Sequence, residues 1–482
     1  MTTFAAPAEI AAIRACLDHP VIDSDGHAVE YLPVVRDVLR AQAGDDAVAA
    51  LERTIDSGAL IRTLSPEQRR AAGMSRMTWW GLPTRNTLDR ATAMLPKLLA
   101  DRLPELGIDH AVLYPTYGLV ATPQDDETVR RSLARAFNTF YAQEFAELAD
   151  RLTPVGIIPM HTPDEAIAEL EFATAELGLK AFMFGGPVMR PYPGQDPSTR
   201  VARWVDTLGP DSPYDYDPVW QRCVDLGVAP TFHSAATGWG SRTSTTSYVW
   251  NHIGMFATAG EAMARSLFLG GVPHRFPELR FAFLEGGVAW AAGLYSDLLG
   301  HWEKRNREAV ERYNPALLDR GRLVELFEEF GSDHYRARLD ELDDGLTFLS
   351  LADEDPETLD EFAACAISRP EDIRDVFTRQ FHFGCEADDP LTALAFDTAR
   401  NPLGARFKAL FASDIGHWDV PEVSEVLPEA WELVEHGHAT EADFRSLTFE
   451  NPVSLWAAMN PKFFDGTTVA DAVGRELASR GV

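Results

Sequence analysis

The chain has 482 residues, 45% hydrophobic and 24% charged, with a formal net charge of −31. This is globular composition with ample material for a large core, and so acidic a chain is expected to bind neither nucleic acid nor an anionic membrane. The N-terminus lacks a secretory pattern, no apolar run is long enough to span a bilayer, and Cys16, Cys223, Cys365 and Cys385 follow no paired spacing, so the expectation is a cytoplasmic protein with reduced thiols.

A short lead-in helix is expected before residue 20, then a strand at 20–27 running Val21-Ile22-Asp23-Ser24-Asp25-Gly26-His27. Two apolar residues giving way to acidic and small ones describe a buried strand that opens into a pocket. Residues 34–62 read as helix from Val34, Val35, Val38 and Leu39, and 63–93 is polar around Trp79-Trp80. Helical pattern returns at 94–106 and stops at Gly107. Further strands are expected at 110–115, 153–160, 179–186, 228–234, 279–287, 379–386 and 407–416, with helices between them at 126–150, 163–177, 218–226, 256–269 and after 287. A Pro/Gly/Asp-rich loop occupies 187–216 and a Ser/Thr/Gly-rich one 234–247; 305–375 is charged and helical. Eight strands alternating with helices predict a parallel sheet closed into a (β/α)8 TIM barrel. One barrel domain over 1–482 is expected, with 305–375 inserted between the sixth and seventh strands.

In such a barrel the C-terminal strand ends meet at one mouth. The first strand brings Asp25 and His27, two residues apart and on one face. The fifth ends in His233, the sixth in Glu285, and the eighth in Asp414, with His417 close behind. Asp25, His27, His233 and Asp414 suit one divalent cation, zinc first, with manganese or ferrous iron also accepted. Without a metal the same residues would be a hydrogen-bonded polar mouth. Asp23 is set apart from the ligand pair and expected to hydrogen-bond within the fold.

These stretches resemble the amidohydrolase superfamily, in the branch of aminocarboxymuconate-semialdehyde and resorcylate decarboxylases. The matching segments are Ile22-Asp23-Ser24-Asp25-Gly26-His27, Pro230-Thr231-Phe232-His233, Arg275-Phe276-Pro277-Glu278-Leu279-Arg280-Phe281 through Glu285-Gly286-Gly287 to Trp290, and Phe411-Ala412-Ser413-Asp414-Ile415-Gly416-His417. The resemblance implies a barrel with one catalytic metal, Asp25 and His27 standing at the family's His-x-His or Glu-x-His and His233 and Asp414 at the later ligands; it also suggests a homodimer. Two departures are visible. Asp25 replaces a histidine, and Glu285 stands where decarboxylating members often place one.

The leading reading is a metal-dependent hydrolase in which metal-activated water attacks a carbonyl carbon of an amide, ester, thioester or activated carbon–carbon bond. The small-molecule substrate is expected to be bulky and partly apolar. Asp414, Glu285 and His252 are the candidate catalytic groups: Asp414 takes the water's proton, Glu285 acts as base or acid, and His252, in a loop, polarises the carbonyl. Glu285 is equally well read as a supporting carboxylate or a helix N-terminal partner of Gly286 and Gly287. His417 is expected to orient Asp414, and Glu386, Trp239 and Trp418 to face the pocket, with Trp79 and Trp80 lining it or packing under loops. Arg190 and Arg242 are candidate clamps for an acidic substrate group, though surface charge explains them as well. His19, His110 and His161 have no constellation around them. The alternatives are non-oxidative decarboxylation of an aromatic or unsaturated acid, and a barrel retained as a non-catalytic binding protein.

Overall fold

Short apolar strands separated by helices return in the same direction, so they pair in parallel. The computed structural model, which describes residues 4–194, 202–347 and 359–481, has this arrangement. Residues 195–201 of the expected long loop and 348–358 of the expected insertion lie outside the described residues. The strands are β1 (Ile22–Ala28), β2 (His110–Pro115), β3 (Leu152–Ile158), β4 (Ala181–Phe184), β5 (Val188–Pro191), β6 (Arg203–Asp206), β7 (Pro230–Phe232), β8 (Phe281–Phe283), β9 (Phe381–Glu386) and β10 (Lys408–Ala412). Eight of them form one sheet in the order β1-β2-β3-β4-β7-β8-β9-β10, each pair parallel. The last strand meets the first through Asp414 N–H to Asp25 O at 3.0 Å and His27 N–H to Ile415 O at 2.9 Å, just past the end of β10. The architecture is the expected (β/α)8 barrel.

Its core has an outer aromatic layer. Phe232, Phe283 and Phe383 sit in register on β7, β8 and β9, with ring centroids 5.7 and 6.1 Å apart. Trp290, on the helix Ala289–Arg305, meets Phe283 edge-on at 5.8 Å, so this face of the strands packs on helices. Alternation then turns the next residue after Phe232, His233, toward the barrel interior.

β1 departs from regular pairing. Asp23 pairs with Ala111 and Gly26 with Leu113, so one strand carries an extra residue over this stretch. The bulge puts Asp23 in phase with Gly26, not His27, and frees it for structure. Its carboxylate accepts from Ser413 Oγ at 2.6 Å, Ser413 N at 3.0 Å and Asp25 N at 3.2 Å. A Cβ at Gly26 would come within 2.5 Å of Asp23 Oδ2 and 2.9 Å of Leu113, so the bulge needs glycine there.

Several elements differ from expectation. The loop at 187–216 contains the antiparallel hairpin β5–β6, whose short strands carry no clean alternation. The polar stretch 63–93 contains helices Pro66–Ala72 and Thr87–Met94. The first has Ser65 and Gln68 in a reciprocal cap, a signal independent of hydrophobic pattern. β7, β8 and β10 are shorter than expected, so His233, Glu285 and Asp414 lie just beyond them. Helix Arg320–Phe330 within the expected insertion buries none of its residues. All four cysteines are free, and no helix of the described residues is long and apolar enough to cross a membrane.

Glu30 ties two strand exits together. It is 2% exposed and accepts from Tyr141 Oη at 2.6 Å, Tyr117 N at 2.7 Å, Gly118 N at 2.9 Å and Thr116 N at 3.3 Å. Glu30→Ala leaves these donors unpaired and is expected to cost about 3 kcal/mol of stability in urea unfolding; a loss below about 0.5 kcal/mol would contradict this role.

Candidate metal centre and adjoining cavity

The side chains expected at the mouth come together there. His27 Nε2 lies 3.1 Å from His233 Nε2, 3.4 Å from Asp414 Oδ1 and 3.7 Å from Asp25 Oδ1. Donor atoms around a tetrahedral ion with ~2.1 Å bonds are separated by roughly 3.4 Å, so each of these three residues is spaced to share a cation with His27. The four fall into two overlapping clusters, Asp25–His27–His233 and His27–Glu285–Asp414–His417, joined at His27. All are buried.

Behind them, polar groups hold the imidazoles of His27 and His417. His27 Nδ1 donates to Pro115 O at 3.2 Å, which leaves the Nε2 lone pair facing the cluster. His417 Nε2 is 3.3 Å from Thr116 Oγ1, and its Nδ1 is 2.6 Å from Asp414 Oδ1. His417 therefore stands where the sequence places it, behind Asp414, with its ring 3.6 Å from that of His27. Asp414 and Glu285 both adopt left-handed backbone, at φ 48° and 57°. Such conformations cost about 1–3 kcal/mol and concentrate at functional sites. Gly416, at φ 106°, lets the chain pass His27, whose carbonyl oxygen would lie 3.0 Å from an added Cβ.

The electrostatics are one-sided. Burial pushes the carboxyl groups of Asp25, Glu285, Glu386 and Asp414 well above the usual carboxylate range, and Glu285, Asp419 and their acidic neighbours push further. Burial also pushes the imidazoles of His27, His233 and His417 down, which favours their neutral form. Asp25 Oδ1, both Asp414 oxygens and both Glu285 oxygens have no hydrogen-bond partner. Buried acceptors without donors, beside neutral imidazole nitrogens, are the donor chemistry of a divalent cation, and the residues fit one.

Beside the cluster lies a cavity of about 250 Å³, lined by His252, Met255, Phe256, Glu285, Glu386 and Asp389 among others. His252 is not in a loop. It ends the five-residue helix Tyr248–His252, which Ser247 caps through Trp250 N. Its Nε2 is buried and unpartnered, and its ring is flanked by Trp80 at 5.4 Å and Trp418 at 5.3 Å. Trp80 and Trp418 are 4.2 Å apart, and Trp79 meets His417 edge-on at 4.7 Å. Asn251 holds this wall together: it donates to Arg76 O and Ser244 O and accepts from Ser244 N, each at 2.8 Å. Trp239 lies in the turn Ala236–Arg242, outside the aromatic group. Arg190 bonds Asp206, His161 O and Tyr216, and Arg242 bonds the carbonyls of Ile253 and Gly254. Neither is a free clamp.

Asp419 was not anticipated; it joins Glu285 and Glu386 in a third cluster. Its position five residues after Asp414 was the available signal. Phe256 was missed because it reads as ordinary helix core.

The family described as Amidohydrolase matches residues 91–335. A 2-amino-3-carboxymuconate-6-semialdehyde decarboxylase of Dictyostelium discoideum is 28% identical over 171 residues, 36% of this chain and 41% of the relative's length. Among solved structures, an amidohydrolase from Mycobacterium avium subsp. paratuberculosis K-10 superposes with a TM-score of 0.54 at 18% identity, over 92% of this chain and 98% of that one. A dihydroxybenzoic acid decarboxylase from Polaromonas sp. JS666, with bound manganese and the inhibitor 2-nitroresorcinol, gives 0.50 at 16% identity over 93% and 99%.

If the four donors share an ion, chelator-stripped protein should take up about one equivalent of zinc. In His233→Ala and Asp414→Ala the zinc affinity should fall by more than about 100-fold, since even outer-shell losses cost 10- to 100-fold. Unchanged affinity by competition with a chromogenic chelator would show that these residues are not ligands.

Proposed function

The chain belongs to the amidohydrolase family, and we propose that it is a metal-dependent hydrolase acting at a carbonyl centre of a bulky, partly apolar small molecule. The scissile bond is an amide, an ester, a thioester or an activated carbon–carbon bond. The observation that carries this reading is the buried Asp414 carboxylate, unpartnered and within 3.4 Å of a histidine nitrogen at a cluster of neutral imidazoles.

His27, His233, Asp25 and Asp414 would hold one divalent ion, which when bound activates water and polarises a carbonyl oxygen. Zinc suits the set best, with manganese or iron as rivals; the Polaromonas decarboxylase of the same fold contains manganese. Asp414 accepts the water's proton at a carboxylate oxygen, and His417 Nδ1 lies 2.6 Å from that carboxylate. Glu285 sits at the junction of the cluster and the cavity, where it can return a proton to the leaving group. His252 presents its Nε2 to the substrate from the aromatic wall. Trp80, Trp418 and Phe256 exclude water and supply apolar contact.

A second reading is non-oxidative decarboxylation, favoured by the activity named for the Dictyostelium relative. Glu285 would then protonate carbon. The acidic cavity and the engaged state of Arg190 and Arg242 weigh against an anionic substrate.

A screen of esters, thioesters, amides and aromatic acids in oxygen-18 water separates the two. Hydrolysis places the label in the organic product, whereas decarboxylation releases carbon dioxide and leaves the organic product unlabelled. For the compound turned over, Asp414→Asn should lower kcat by at least about 100-fold, the usual contribution of a positioned base; rates like wild type would remove the mechanism.

A further inference from the structure

We propose that the cavity beside the metal cluster receives a cationic group of the substrate, a protonated amine, and turns anionic compounds away. This names the substrate class of the site proposed above and rests on that reading for its location.

Glu285, Glu386 and Asp389 contribute carboxylates to the cavity, and among the described residues neither lysine nor arginine lines it. Glu285, Glu386 and Asp419 bring carboxylate oxygens within 4.8 Å of one another. A dication balanced by Asp25 and Asp414 leaves these carboxylates with no opposite charge. The charges acting most strongly on Glu386 are those of Glu285, Asp419, Asp388 and Asp389, all of one sign. Like charges crowded in a water-poor site are costly unless a cation joins them.

Glu285 is the buried, unpartnered member of this group, at the junction of the metal cluster and the cavity. It is 6% exposed and lines the cavity, and its Oε1 has no hydrogen-bond donor. Its Oε2 faces His233 Nε2 at 2.7 Å, outside hydrogen-bond geometry. An ammonium group offers three N–H donors and a charge to such acceptors, while Phe256 and Met255 take the carbon skeleton that carries it. A carboxylate in the same place would add to the repulsion.

The test titrates the zinc-loaded full chain, and separately the chelator-stripped chain, with benzylammonium, benzyl alcohol and benzoate. Tryptophan emission reports binding, because Trp80 and Trp418 flank the ring of His252, which lines the cavity. Benzylammonium should bind at least tenfold more tightly than benzyl alcohol, and benzoate more weakly than either. Glu386→Gln should weaken benzylammonium at least tenfold and leave benzyl alcohol unchanged. Asp389→Asn, which keeps the cap on Leu391 N, serves the same comparison if Glu386→Gln does not fold. Equal binding of the amine and the alcohol, tighter binding of benzoate, or a second equivalent of zinc lost in Glu386→Gln would overturn the proposal. Loss of zinc retention with the ammonium preference intact would instead remove the metal reading and leave this one standing.

Discussion

The site depends on the seam where the last barrel strand meets the first. Asp414 N–H bonds Asp25 O, and His27 N–H bonds Ile415 O. Those two backbone bonds close the cylinder and also set three of the candidate ligands side by side. Asp23 reinforces the seam from below by accepting from the backbone and hydroxyl of Ser413. The bulge in β1 releases Asp23 for that task while Asp25 and His27 keep a common direction. Residues nearly four hundred positions apart are therefore neighbours for reasons of main-chain hydrogen bonding, before any ion is considered.

A second constraint is charge. Buried carboxylates are tolerated when donors or cations answer them. Glu30 shows the first solution, with three backbone N–H groups and a tyrosine hydroxyl around it. Asp25, Asp414 and Glu285 lack such donors, so their environment calls for positive charge from outside the chain. The left-handed backbone at Glu285 and Asp414 fits the same picture, since strain persists where surrounding structure over-determines it.

Much of this was legible in the sequence. All eight barrel strands and the residues at their ends follow from apolar runs that stop at polar groups, and Asp25, His27, His233, Asp414, Glu285 and His417 do converge. The β5–β6 hairpin was hidden because its four-residue strands lack a regular face, and helix Pro66–Ala72 because it is polar. Asp419, Phe256 and the helix carrying His252 escaped because loop conformation decides which side chains reach a pocket. Arg190, open in the sequence to a substrate clamp or a surface charge, is instead engaged by Asp206 and Tyr216.

Anomalous diffraction at the metal absorption edge, from crystals of the zinc-loaded protein, probes the convergence of ligands most directly. An ion about 2.0–2.2 Å from donor atoms of Asp25, His27, His233 and Asp414 is the expected result. An ion bound elsewhere, or one that leaves either histidine outside its coordination sphere, would contradict it.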